Sequence, residues 1–174
     1  VDEIINDNND DTNTTIKQAL ALTLSNMGTA KLMLGLPNEA LGLFERAIKT
    51  QISIVGEYHP SVSETYFNMG IANQVNDRLK FALQAFNRAQ EIMEKIGCGS
   101  EKVACVVHAK ANVYCKMDDF NKKTALQLYS LALWMQTNST REVANEKIAM
   151  TLVNMGMTCL QMNQLDVSLS CFED

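Results

Sequence analysis

Proline is nearly missing from this chain, with only Pro37 and Pro60 in 174 residues, and glycine is sparse at eight. Long stretches therefore run without a turn signal, which argues against an all-strand architecture and for helices. No apolar run of about 18 residues occurs, so no membrane-spanning helix is expected. The first residues are acidic and asparagine-rich where a signal peptide would be basic and then apolar. Basic clusters are lacking beyond Lys122 and Lys123, and the net charge of −5 comes from Asp2, Glu3, Asp7, Asp10 and Asp11, which precede the first lysine, Lys17. Without a basic face to neutralise phosphates, nucleic-acid binding is excluded as an expectation. No Cys-x-x-Cys spacing exists either. Cys98, Cys105, Cys115, Cys159 and Cys171 are odd in number and sit among apolar residues, as buried thiols of a reducing, cytoplasmic compartment do. No glycine-rich phosphate loop, Ser-His-Asp arrangement or catalytic carboxylate pair can be assigned, so neither an enzyme nor a cofactor is expected. Cys105, His108 and Cys115 share a helix face in part, but a closed zinc site needs a fourth ligand that the sequence does not supply, and no metal is expected.

What is present is apolar content, 47% of the chain, and repetition. Asn-Met-Gly occurs as Asn26-Met27-Gly28, Asn68-Met69-Gly70 and Asn154-Met155-Gly156, the first two copies 42 residues apart and the last two 86. The missing middle copy is found at Lys110-Ala111-Asn112, with Ala111 in the glycine's place. A second pattern follows each first: Ala40, Phe44 and Ala47 recur as Ala82, Phe86 and Ala89, as Ala125, Tyr129 and Ala132, and as Ser168 and Phe172. Small residues in a first helix and Ala-x3-aromatic-x2-Ala in a second let two helices approach and interlock, so each unit is one helical hairpin. The fold expected is all-α, a tandem array of helical hairpins wound into a right-handed superhelical solenoid. An acidic flexible segment 1–14 precedes four units at 15–57, 58–99, 100–139 and 140–174, the last incomplete.

First helices are expected near 15–34, 61–76, 101–117 and 141–162, and second helices near 37–55, 78–96, 121–137 and from 165. Ser61 with Glu64 reads as a capping box, Ser100 and Thr140 as caps, and Pro37 as a first-turn residue. Unit three carries about two extra residues between Phe120 and Ala125, which are expected to lengthen the turn or bulge the helix that follows.

Glycine at the eighth position, alanine at the twentieth, an aromatic at the twenty-fourth and alanine at the twenty-seventh resemble tetratricopeptide repeats. The long period, with Gly56-Glu57-Tyr58-His59-Pro60-Ser61-Val62 leading into Thr65-Tyr66-Phe67-Asn68-Met69-Gly70, is similar to the repeats of kinesin light chains. Only this linker has His-Pro, and unit three lacks the repeat asparagine. In such solenoids the first helices line the concave surface. The resemblance implies that Asn26, Asn68 and Asn154 form a ladder there, pairing with the backbone of an extended peptide through both donor and acceptor. The other reading has these asparagines bridging neighbouring first helices or capping local backbone. By register Ser25, Thr29, Phe67, Ile71, Gln74, His108, Asn112, Lys116, Val153 and Met157 flank the ladder, a mixed groove in which Lys116 and Lys110 alone bring charge. Ala109 interrupts it. Met27, Met69 and Met155 are placed in the core, Trp134 on an outer helix, and His59 in shaping the linker before Pro60. The function expected is a protein-interaction adaptor that takes a partner peptide or helix in its concave groove. Its rival is a structural segment of a larger cytoskeletal or ciliary assembly, packed through its convex face or ends. The unfinished last unit implies an exposed apolar end and with it end-to-end self-association.

Overall fold

A computed structural model describes residues 2–138 and 145–173, with side chains from residue 12 onward. Among these residues eight α-helices follow one another: α1 (Asp2–Met33), α2 (Pro37–Val55), α3 (Pro60–Val75), α4 (Leu79–Lys95), α5 (Ser100–Met117), α6 (Lys122–Thr137), α7 (Asn145–Gln161) and α8 (Leu165–Glu173). Each packs against the next, and α1, α3, α5 and α7 also touch in sequence as an inner layer. The result is a solenoid of hairpins. Among the described residues no strand occurs, and no helix there is long and apolar enough to cross a membrane.

The small-against-aromatic pattern explains each hairpin. A Cβ added to Gly28 would lie 2.6 Å from Phe44, one on Gly70 2.4 Å from Phe86 and one on Gly156 2.7 Å from Phe172, so each glycine admits a ring that no other residue would. Phe44, Phe86 and the alanines beside them are fully buried. In unit three the pair is Ala111 and Tyr129, packed with Ala125.

Three of the four hairpins turn by the same device, a residue in the left-handed region whose successor donates five residues back. Gly35 (φ 74°), Asp77 (φ 56°) and Asn163 (φ 58°) hold that position, and Leu36 N–H reaches Lys31 O at 2.9 Å, Arg78 N–H Asn73 O at 2.8 Å and Gln164 N–H Cys159 O at 2.9 Å. Unit three differs. Its two extra residues form a 3-10 turn, Asp119–Asn121, capped by Asp118, whose carboxylate accepts from the backbone and side-chain amides of Asn121 at 2.9 and 2.7 Å. Phe120 is left 91% exposed.

Several caps depart from expectation. α2 does begin at Pro37, but α3 is capped by His59, whose Nδ1 accepts from the Ser61 N–H at 3.2 Å while the extended backbone before Pro60 aims it. Ser61 is thus inside the helix, and Glu64 pairs instead with Lys102 at 3.1 Å. Gly99 precedes α5, which makes Ser100 its first residue rather than its cap; Thr140 lies outside the described residues. α1 starts at Asp2 and not near residue 15. Nothing before Gly28 breaks a helix, and Asp2 and Glu3 suit the positive end of the macrodipole. Met69 and Met155 pack against the preceding hairpin. Met27, expected in the core, is 47% exposed, because within the described residues α1 has a neighbouring hairpin on one side only.

Candidate functional site

The asparagine ladder divides into two halves. Asn154 lies at the centre of a closed network between α5, α6 and α7. Its Nδ2 donates to Asn112 Oδ1 at 3.1 Å and to His108 Nε2 at 3.1 Å. Tyr129 Oη donates to the same Asn112 oxygen at 2.5 Å. On its other side His108 Nδ1 is 2.9 Å from Thr151 Oγ1, and that hydroxyl is shared between Gln136 Oε1 at 3.1 Å and Lys147 O at 3.0 Å. With its proton so directed, Thr151 accepts from His108, which fixes a neutral imidazole protonated on Nδ1 and accepting on Nε2. Burial holds the His108 pKa below its ordinary value, in agreement with that tautomer, and pushes the Tyr129 phenol upward.

Asn26 and Asn68 behave differently. Asn26 is exposed and Asn68 half-buried, and neither side chain makes a hydrogen bond among the described residues. Asn68 lines a cavity of about 320 Å³ with Phe67, Met93, Cys105 and Val106, rimmed by the Glu64–Lys102 pair. The two asparagines therefore keep their donors and acceptors available on the inner layer, whereas Asn154 bridges helices within the fold.

The flanking residues divide in the same way. His108 and Asn112 belong to the closed network, while Val153 and Met157 are 48% and 46% exposed. Phe67 and Ile71 pack half-buried on the core, Phe67 with its ring 5.6 Å from Phe86. Ser25 Oγ is 3.4 Å from Thr65 Oγ1, and Thr29 donates to Ser25 O at 3.1 Å. Gln74 is half-buried and Lys116 exposed. Lys110 turns away from the groove towards α4, reaching Gln90 Oε1 at 3.1 Å. Ala109, where the ladder breaks, is buried in the central core cluster. Trp134, on outer helix α6, is 62% exposed. His108 has both ring nitrogens committed, Cys115 Sγ faces Thr158 Oγ1 at 3.0 Å, and no metal-ligating cluster occurs among the described residues.

The sequence reading missed the partners that make the network: Thr151, Gln136 and Tyr129. A signal for one was present, since Thr23, Thr65 and Thr151 stand three residues before each ladder asparagine. It also missed that Lys102 and Lys147 bridge inner helices, to Glu64 at 3.1 Å and Glu101 at 2.6 Å.

The tetratricopeptide-repeat family profile matches residues 19–95. No curated protein matches the chain. Among solved structures, BtubC (BKLC) from P. vanneervenii superposes with a TM-score of 0.79 at 18% identity, covering 90% of this chain. The present chain spans 62% of that protein's length. A Podosopora anserina protein described as a kinesin light chain with nearly identical TPR-like repeats has a TM-score of 0.72 at 17% identity, with 87% of this chain and 71% of its own covered. MamA has a TM-score of 0.61 at 19% identity, with 88% and 74% covered. Helical hairpins, glycine-aromatic locks, a profile match and these shared folds agree: residues 19–95 carry tetratricopeptide repeats, and the array as a whole has the fold of repeat proteins that include one described as kinesin light chain-like.

Proposed function

We propose that this array is a cytoplasmic adaptor that holds an extended segment of a partner protein along the first half of its inner layer. The observation that carries the reading is the contrast within the ladder: Asn26 and Asn68 are unbonded among the described residues, and Asn154 is not. An amide with both functions open pairs with a peptide backbone whatever its side chains. Asn68 stands beside an apolar cavity that a partner side chain can enter. Inner-layer lysines 102 and 147 are each neutralised by a glutamate, so the surface does not select for acidic segments. Peptides selected on the wild-type chain by display should bind at least about tenfold more weakly to an Asn26→Ala, Asn68→Ala variant, the loss of about 1.4 kcal/mol expected from two backbone contacts. Undiminished binding by that folded variant rejects the reading.

A second reading has its own observation. Phe44, Phe86 and Tyr129 are at most 2% exposed because the next hairpin covers them, but Phe172 is 47% exposed, with Leu165, Val167 and Leu169 beside it. That face suits packing within a larger assembly or end-to-end self-association. Light scattering across a concentration series distinguishes the two: concentration-dependent growth abolished by Phe172→Ser favours assembly through the end.

A further inference from the structure

The outer layer carries a groove between α2 and α4, floored by α3 and holding about 330 Å³. Its middle is apolar, with Leu41 and Met69 beneath and Phe81, 59% exposed, along one side. A large apolar side chain laid there leaves water for hydrocarbon and an aromatic face. The end where α3 turns into α4 is polar. Asn73 lies at that end, only 6% exposed. Its Nδ2 donates to Met69 O at 2.9 Å, which directs its Oδ1 the other way, and that oxygen accepts from no described residue. Among the described residues that are buried or half-buried, the one unpartnered side-chain oxygen or nitrogen sealed from water is Gln51 Oε1. Asn73 Oδ1 is therefore open to solvent, on a residue that lines the groove.

Arg78 lines the same end, and the bond from its N–H to Asn73 O, 2.8 Å, holds the two residues side by side. Its guanidinium forms no ion pair among the described residues, whereas Arg88 further along α4 is held by Glu57 and Glu91. A nearly buried acceptor and an unpaired cation thus border one space. No other unit repeats the pair: the matching positions hold Lys31 and Leu36 in the first, Tyr114 and Asn121 in the third, and Cys159 and Gln164 in the last. In the third, moreover, Lys110 takes the place of Met69 and crosses to Gln90 on α4 at 3.1 Å. Glu45 marks the far end of the groove. It stands nine residues beyond Leu36, the counterpart of Arg78 at the start of α2, which is about 13 Å along the helix. An acidic stretch lying in the groove would meet that carboxylate, but one carboxylate at the Arg78 end does not.

We propose that this groove receives the C-terminal residue of a partner chain, a large apolar residue whose carboxylate pairs with the Arg78 guanidinium, whose backbone N–H donates to Asn73 Oδ1 and whose side chain lies on Leu41, Met69 and Phe81. Such a residue joins an anion, a neutral donor and an apolar body within one unit of chain, the three things that this end of the groove is equipped to hold. The groove belongs to the outer layer, so the assignment stands whether or not Asn26 and Asn68 hold a peptide backbone on the inner one.

The test uses an N-acetylated tripeptide ending in phenylalanine, once as the free acid and once as the C-terminal amide, titrated into the ¹⁵N-labelled chain while the Asn73 side-chain amide and Arg78 Nε are followed by NMR. The free acid should shift both resonances saturably and bind about fivefold more tightly than the amide, the size expected of a bidentate pair with an exposed guanidinium, and added salt should narrow the gap. Arg78→Gln, a change at an exposed position, should make the two probes equivalent. Asn73→Leu should weaken both alike and leave their ratio unchanged, because acid and amide present the same backbone N–H. Equal affinity for both probes in the wild type, no saturable shift with either, or a preference for the acid that survives Arg78→Gln overturns the proposal. Should Asn73→Leu fail to fold, the wild-type and Arg78→Gln comparisons still decide. An Asn26→Ala, Asn68→Ala variant should keep the preference for the acid, which separates a failure of this groove from a failure of the ladder.

Discussion

Replacing Gly70 by alanine adds one methyl group where the fold has left no room. The new Cβ would stand 2.4, 2.6 and 2.9 Å from Cε1, Cδ1 and Cζ of Phe86, whose ring is fully buried against the central core. To restore carbon contacts near 3.5 Å the ring or α3 must shift by about 1 Å, and such overpacking costs about 1–3 kcal/mol. Helix propensity works the other way, favouring alanine over glycine by about 0.5–1 kcal/mol. The net expectation is a loss of about 1–2 kcal/mol, a fall in melting temperature of about 3–6 °C for a chain of this size. Gly42→Ala is the control, since nothing lies within 4 Å of its added Cβ on α2, and it should gain about 0.5–1 kcal/mol. Gly156→Ala should fall between them, because Phe172 is 47% exposed and can swing outward. Urea denaturation followed by circular dichroism measures all three. Combining Gly70→Ala with Phe86→Leu should cost less than the sum of the single changes. A Gly70→Ala protein as stable as Gly42→Ala would refute the claim that the glycine exists to admit the ring.

The divided ladder has consequences for stability as well as binding. Asn154→Ala strips the donor from His108 Nε2 and one of two from Asn112, and should lose about 1–3 kcal/mol, against less than about 0.5 for exposed Asn26→Ala, both read as urea midpoints. Tyr129→Phe removes the phenol bond to Asn112 while keeping the ring, so a loss near 1 kcal/mol is expected in the same assay. Burial lowers the His108 pKa in the folded chain, so the unfolded chain binds the proton more readily. Stability from this group is complete above the unfolded value of about 6.5 and is lost as pH falls below it. The urea midpoint should therefore drop between pH 7.5 and 5 by more in the wild type than in His108→Phe, the aromatic that α3 carries at this position as Phe67; equal drops would show that His108 does not titrate as its burial requires.

Much of this architecture was legible in the sequence because small-against-aromatic packing repeats at fixed spacing, and both halves of each lock are single residues that can be read directly. Gly28 with Phe44 and Gly70 with Phe86 set the hairpin register, and the two extra residues of unit three marked the 3-10 turn. Caps were less legible: His59 outcompetes the Ser61–Glu64 box because Pro60 holds it extended with its ring over the helix end, a preference of geometry and not of residue type. The candidate site was half legible. Register placed Asn26, Asn68 and Asn154 in one row, but it could not tell that Asn154 is spent inside the fold. That depends on His108 being long enough to bridge α5 and α7, where Ser25 leaves the equivalent junction open and Phe67 makes it apolar. Lys110 shows the same limit, since one step around α5 turns it from the groove to Gln90.

The claim that matters most is that the open half of the ladder binds and the closed half builds. Partners captured from lysate by the wild type, by Asn26→Ala, Asn68→Ala and by Asn154→Ala should be quantified by mass spectrometry, with the helicity of each protein verified by circular dichroism. The account predicts that the first variant loses specific partners at full helicity, while Asn154→Ala retains them in proportion to its folded fraction. Retention of the same partners by a fully helical Asn26→Ala, Asn68→Ala protein would contradict it.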